Sequence, residues 1–261
     1  MNTTLVRLPR YLGCRVLRPV LMAMTLVCVA AVSVPARAER PDFTGLWTMY
    51  RSGNGPPSVG AGAQPSLKQE AQAKVARYQK AISGTNYSPG AYCVGTGMPG
   101  SMLGSGGYPM EIMQRPEQIN ITYEAHGEMR RVYLGDRVAN PRDVFPERNG
   151  YSVGRWEGDT LVVETDHLVE QVDQRYPHSA QARISERYRL TTEEGGKKVI
   201  VATLMMVDPV YLTEPFTTEK KWQQVPNGRL MNYECTEPAW LDVLDRLLGQ
   251  DPKTASESQT K

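Results

Sequence analysis

Histidine is nearly absent from this chain, with three residues in 261: His126, His167 and His178. None stands from the others at a spacing that a metal site uses, so no metal and no cofactor is expected. Cysteine is almost as scarce, with four, and no Cys-x-x-Cys pair occurs. That removes the usual sign of a dithiol redox centre. Charge of one sign is lacking too. Thirty basic residues face 28 acidic ones, a net of +2, which is no electrostatic footprint for nucleic acid. The apolar run at 20–32 is short for a membrane span.

What is present begins with a leader. Arg7, Arg10, Arg15 and Arg18 precede that apolar run, and Ala36-Arg37-Ala38 follows it as a small-x-small cleavage site. Basic, apolar and small-residue regions in this order describe a secretory signal peptide over 1–38, and a periplasmic or secreted protein with no membrane span after cleavage. Cys28 does not make a lipoprotein site, because Val27 is too bulky for the position before a lipidated cysteine. Removing the leader's five arginines leaves 25 basic residues against 28 acidic, a net of −3. The slight basicity therefore belongs to the leader. The remaining 39–250 is long enough for a single domain with a substantial core, and the polar stretch 251–261 reads as a flexible tail.

Cleavage also removes Cys14 and Cys28, leaving Cys93 and Cys235. Two cysteines in an exported chain most economically form one disulfide. The rival reading is a reactive thiol, but neither cysteine has a histidine beside it in sequence.

Residues 43–50 read as a first strand, and 51–64 as a loop rich in glycine, proline and serine. Ser66 with Gln69 forms a capping-box pattern, after which Leu67, Ala71, Val75, Tyr78 and Ile82 recur at helical spacing. Residues 84–108 are again loop. Further strands are expected at 110–114, 118–125, 129–134, 151–157, 160–168, 182–191, 198–207, 217–224 and 229–236, with a short helix at 239–248. The fold class is mainly β: an antiparallel up-and-down meander of about ten strands, forming a barrel or a strongly curved sheet. Gly158-Asp159, Gly195-Gly196 and Asn227-Gly228 read as two-residue hairpin turns.

Gly45-x-Trp47 on a first strand, followed by a meander, resembles the lipocalin and wider calycin pattern, in which the tryptophan plugs one end of a ligand-holding barrel. The stretch 150–165, GYSVGRWEGDTLVVET, is similar to a group of secreted bacterial proteins. So are Pro177-His178-Ser179, Glu186-Arg187-Tyr188, Asp208-Pro209 and Tyr233-Glu234-Cys235. This second resemblance supplies no chemistry.

Two motifs lose their force in context. Gly150-x-Ser152-x-Gly154 would be a nucleophile elbow only at a strand-to-helix turn, and here a hairpin follows the serine. Gly95-x-Gly97-x-x-Gly100 needs a βαβ unit to cradle phosphates, and Pro99 with the glycines up to Gly107 argues against a helix there.

Turns set register, and register sets faces. The Gly158-Asp159 turn pairs Trp156 with Leu161, Gly154 with Val163 and Ser152 with Thr165, with His167 continuing that face. A Gly195-Gly196 turn pairs Leu190 with Val201, Tyr188 with Thr203, Glu186 with Met205 and Ile184 with Val207. It leaves Ile200, Ala202, Leu204 and Met206 on an outer row that needs cover from the Ser66 helix or a second subunit. A His126-Gly127 turn pairs Tyr123 with Arg130 and turns Arg130 inward. An Asn227-Gly228 turn pairs Trp222 with Tyr233, Gln224 with Met231 and Lys220 with Cys235. The inward set then mixes Trp47, Tyr123, Trp156, Tyr188, Trp222, Met205 and Met231 with Arg130, His167, Glu186 and Lys220.

Unpaired charges in a dry core cost several kcal/mol, so these four must pair, reach water or line a cavity. Three functions fit. In the first, a barrel holds a small, mostly apolar molecule with one acidic or carbonyl group, bound by Arg130, Tyr123, Trp156, Trp222 and Lys220. In the second, a cofactor-independent isomerase, lyase or hydrolase moves protons through Glu186 and His167, with Tyr188 or Arg130 stabilising an oxyanion. In the third, the outer apolar row makes a homo-oligomeric envelope protein.

Overall fold

Nine strands close into one barrel in the computed structural model, which describes residues 40–51, 64–104, 107–235 and 244. Strand β1 (Gly45–Met49) is followed by helix α1 (Gln69–Ile82) and a single buried turn of helix, α2 (Gly100–Leu103). The wall then continues through β2 (Met110–Gln114), β3 (Gln118–Tyr123), β4 (Glu128–Leu134), β5 (Tyr151–Glu157), β6 (Thr160–Asp166), β7 (Arg183–Thr192), β8 (Lys198–Val207) and β9 (Phe216–Gln224). Spatial order follows chain order, and β1 closes the ring between β2 and β9. Among the described residues, no helix is long and apolar enough to cross a membrane.

Every neighbouring pair is antiparallel except β4 and β5, which run parallel through Val132–Ser152, Tyr133–Val153 and Leu134–Gly154. The connection 135–150 explains the exception. It is too long for a hairpin and long enough to carry the chain back to the other end of the wall. At this seam Gly154 is required by packing. A Cβ there would stand 2.6 Å from Leu134 Cδ2 and 2.8 Å from Val132 Cγ1.

The Gly158-Asp159 hairpin has the expected register, with Trp156, Gly154 and Ser152 opposite Leu161, Val163 and Thr165. Three other expectations need correction. At Gly195-Gly196 the connection is longer than two residues, because both glycines are left-handed and a 3-10 turn spans Glu194–Gly196. Leu190, Tyr188, Glu186 and Ile184 therefore face Ile200, Ala202, Leu204 and Met206. This one-residue slip turns β8 over. The apolar row expected outside lies buried inside, and Met205, expected inside, is 42% exposed. The need for a covering subunit goes with it. At the second turn, Tyr123 pairs with Glu128 and Ile121 with Arg130, because residues 124–127 are all loop. The difference is two residues, so Arg130 keeps its inward face.

The third correction is at the C-terminal side. No strand forms at 229–235, because the outer edge of β9 is taken by β1, with Trp47 opposite Gln224 and Met49 opposite Trp222. Met231, expected inside, is 63% exposed. Cys93 and Cys235 are joined in a disulfide, with a sequence separation of 142. The expected helix at 239–248 lies outside the described residues apart from residue 244, as do the leader and the tail.

Helix α1 begins three residues after Ser66 and has no side-chain cap. The capping box does not form because Leu67 is drawn into a bridge with Leu212, and the Ser66 carbonyl accepts from Thr213 N at 3.0 Å. Its stripe lies as expected, with Ala71 buried and Val75, Tyr78 and Ile82 half-buried.

The glycine-rich segment before β2 does something its composition does not announce. Met98, Gly100, Ser101, Met102 and Leu103 are all buried, and they pack among the barrel's inward side chains as a plug. A helix was not expected in this stretch, yet one turn starts at Gly100. The plug's neck is clamped. Arg148 donates to Gly95 O at 2.8 Å and pairs with Asp173, while Glu128 accepts from Gly97 N and Ser101 Oγ, both at 2.8 Å. Replacement of Gly154 by alanine is expected to lower stability by about 1–3 kcal/mol through overpacking of the parallel seam. Denaturant unfolding would read this as an earlier midpoint at unchanged slope.

Candidate functional site

Alternation along the strands aims one polar group after another into the same part of the interior. Arg130 from β4 is 1% exposed and Glu186 from β7 is 0% exposed. Their side chains form a two-pronged ion pair. Arg130 Nη1 donates to Glu186 Oε1 at 3.0 Å, and Nη2 to Oε2. Arg130 Nε donates to Ser152 Oγ at 3.0 Å, and Nη2 also to Thr165 Oγ1 at 2.8 Å. The two hydroxyls are 2.9 Å apart. Tyr188 OH donates to Glu186 Oε1 at 2.6 Å, with Met102 Sδ of the plug 3.6 Å away. Tyr123 lies buried beside this group.

The electrostatics follow from that geometry. Burial opposes the charge on Arg130, but the Glu186 carboxylate beside it outweighs burial and holds the guanidinium protonated. Burial pushes the phenols of Tyr123 and Tyr188 up, and Glu186 adds to the effect on both. Four of the guanidinium's five N–H donors are used, and the carboxylate accepts three hydrogen bonds. Each of the three guanidinium nitrogens and both carboxylate oxygens is hydrogen-bonded. Sequence reasoning placed Ser152 and Thr165 opposite each other on the inner face without assigning them a part. The signal was there, since two hydroxyls on an apolar face must satisfy something buried.

Lys220 is a different case. It points inward from β9 at 2% exposure, opposite Ala202. Among the described residues its ammonium makes one long hydrogen bond, to Leu103 O, 3.5 Å away at the end of the plug's helical turn. Among the described residues no carboxylate pairs with it. Burial alone pushes its amine down from the ordinary lysine range. Trp222, two residues on, is buried on the same face, whereas Trp156 is half-buried near the rim, stacked on Phe43 at 5.8 Å.

His167 is not in the interior. Its backbone takes φ +52 just after β6 ends, which breaks the alternation and turns the ring to the outside. Nδ1 lies 2.6 Å from Asp166 Oδ1 and Nε2 lies 3.1 Å from Pro141 O. It lines an outer cleft of about 570 Å³ with Leu168, Arg183 and Pro209. Glu186 and His167 are thus on opposite sides of the wall. His178, by contrast, is wholly buried, with Nδ1 3.0 Å from Tyr176 O, and burial pushes its imidazole down. Ser152 Oγ is inside mid-strand and engaged by Arg130, which leaves no nucleophile elbow.

Among the described residues, no group of three or more His, Cys, Asp or Glu is placed to hold a metal ion. The closed barrel is consistent with a lipocalin-like fold, but no protein-family model, curated protein or solved structure matches the chain.

Removing one partner of a buried ion pair leaves the other charge uncompensated. Glu186→Gln is therefore expected to cost about 3–5 kcal/mol of unfolding free energy. Denaturant titration measures it, and a loss under 1 kcal/mol would show that the pair is not what holds this region together.

Proposed function

We propose that the protein is exported by cleavage of its 1–38 leader and binds a small, mostly apolar molecule with one acidic group inside the barrel. Lys220 is the group that meets the acid. The observation that carries this reading is an ammonium-bearing side chain shut into the interior with no carboxylate against it among the described residues. Such a charge costs several kcal/mol when unpaired, and a ligand carboxylate would supply the missing partner. Trp222 offers apolar wall beside it. Met102 and Leu103 of the plug occupy the volume that the ligand's apolar body would take, and methionine repacks readily. The disulfide and the closed barrel fit an exported carrier.

Arg130 and Tyr123 belong to this reading as supporting structure, since the guanidinium is already committed to Glu186. The proton-transfer alternative asks Glu186, Tyr188 and His167 to share a site, and the outward position of His167 speaks against it. The envelope-oligomer alternative loses its motive with the inward turn of β8.

Native mass spectrometry of the protein from its own culture, before and after denaturation, is expected to show a retained small molecule lost on unfolding. A fluorescent long-chain carboxylic acid should bind the wild type at least about 30-fold more tightly than Lys220→Met, the loss of one buried charge partner. Equal affinities would remove Lys220 from the site.

A second expectation concerns pH. The folded amine binds its proton less tightly than the unfolded one, so the unfolded state holds more protons between the lowered folded value and the ordinary lysine value of about 10.4. Stability of the unliganded wild type, relative to Lys220→Met, is therefore expected to rise with pH through that window. A difference that stays flat across it would show that Lys220 is solvated in the native state.

A further inference from the structure

Helix α1 and the loop 87–94 line a cleft of about 340 Å³, within the size range of small-ligand sites. Tyr78 and Ile82 of α1 face it together with Tyr87 and Tyr92 of the loop. The rings of Tyr87 and Tyr92 have centroids 5.9 Å apart and planes tilted by 52°. Both are left open to water, at 60% and 61% exposure. The loop that presents them is fixed. Its 3-10 turn over Gly90–Tyr92 closes with Cys93 N donating to Gly90 O at 3.2 Å, and Cys93 is held in turn by the disulfide.

The same cleft contains the partly exposed ion pair of Arg148 and Asp173. Arg148 commits Nε to Gly95 O, Nη2 to Thr96 O and Asp173, and one N–H of Nη1 to Asp173. Among the described residues that leaves the second N–H of Nη1 open, and the Asp173 carboxylate accepts only from Arg148, which leaves it a free lone pair. These groups decide what can lie on the rings. The two charges cancel, so the cleft selects neither an anion nor a cation. A purely apolar ligand would strip water from the pair and return no hydrogen bond. A proline-rich segment offers carbonyls to Arg148 but lacks the N–H that Asp173 needs. Sugar hydroxyls both donate and accept, and the C–H face of a pyranose ring lies flat on an aromatic ring.

We propose that this cleft binds a neutral saccharide, its pyranose rings stacked on Tyr87 and Tyr92 and its hydroxyls bonded to Asp173 and to Arg148 Nη1. The tyrosines supply the contact area, and the ion pair supplies the choice of a hydroxylated ligand over an apolar one. The site lies outside the barrel interior and does not depend on the interior binding reading.

The oxidised protein is titrated calorimetrically with neutral oligosaccharides (cellohexaose, maltohexaose and hexa-N-acetylchitohexaose) and, for contrast, with hexagalacturonic acid and decaproline. Saturable binding of at least one neutral sugar is expected, with slowed hydrogen exchange in 87–94 and at the end of α1. Tyr87→Ser and Tyr92→Ser, at exposed positions that leave the unfolding midpoint unchanged, should each weaken that sugar by at least about tenfold. Failure of all three neutral sugars to bind, undiminished binding by both variants, or protection confined to other segments would overturn the proposal. So would tighter binding of hexagalacturonic acid, which would show a charge-selective site, or of decaproline, which would make the occupant a peptide.

Discussion

The guanidinium of Arg130 ties four consecutive strands together at the point where the barrel wall is least well laddered. It originates on β4, reaches Ser152 on β5 and Thr165 on β6, and ends on Glu186 of β7. β4 and β5 share only three residue pairs, so the seam has few backbone hydrogen bonds to resist opening. A charged group in such a place is expensive to desolvate and strongly directional once desolvated. Every lone pair and N–H it meets must be in position together, which makes one arrangement of the four strands far better than its neighbours. Gly154 completes the seam from the apolar side by admitting Leu134 and Val132.

The other buried cation has the opposite character. Lys220 stands across the interior with, among the described residues, a single weak acceptor, the carbonyl that ends the plug's turn. A cation at a helix C-terminus gains something from the exposed carbonyls, but less than a carboxylate would supply. One interior thus contains a charge fully neutralised and a charge that is not. The first explains how the barrel holds together, and the second is the observation on which the proposed binding reading rests. The plug lies between these groups, touching Tyr188 through Met102 and Lys220 through Leu103, and its neck is fastened by Arg148, Glu128 and the disulfide.

Some of this was legible in the residues alone. The Gly158-Asp159 turn specifies β5 and β6 to the residue, because a two-residue loop with glycine allows one register and alternation then assigns each face. The inward placement of Arg130 and Glu186 follows from the same parity argument, and it survives a two-residue error at the His126 turn. Lys220 was read inward for a reason that failed, since the hairpin at Asn227 does not form. Its position comes from the pairing of β9 with β8 and β1. His167 was misplaced because a single left-handed residue at a strand end breaks the alternation on which the inference rests.

Local chemistry therefore determined the class of fold, most strands, the partners Cys93 and Cys235, and the interior charges Arg130 and Glu186. Each is a matter of period-two patterning, of a turn's required backbone angles or of the cysteine count. Tertiary structure alone decided the register of β8, the closure by β1 in place of a tenth strand, the parallel seam and the burial of 98–103 in the barrel. These depend on contacts between residues far apart in the chain. Their free energy comes from burying surfaces that meet only once the ring has closed, and no short stretch of sequence contains both partners.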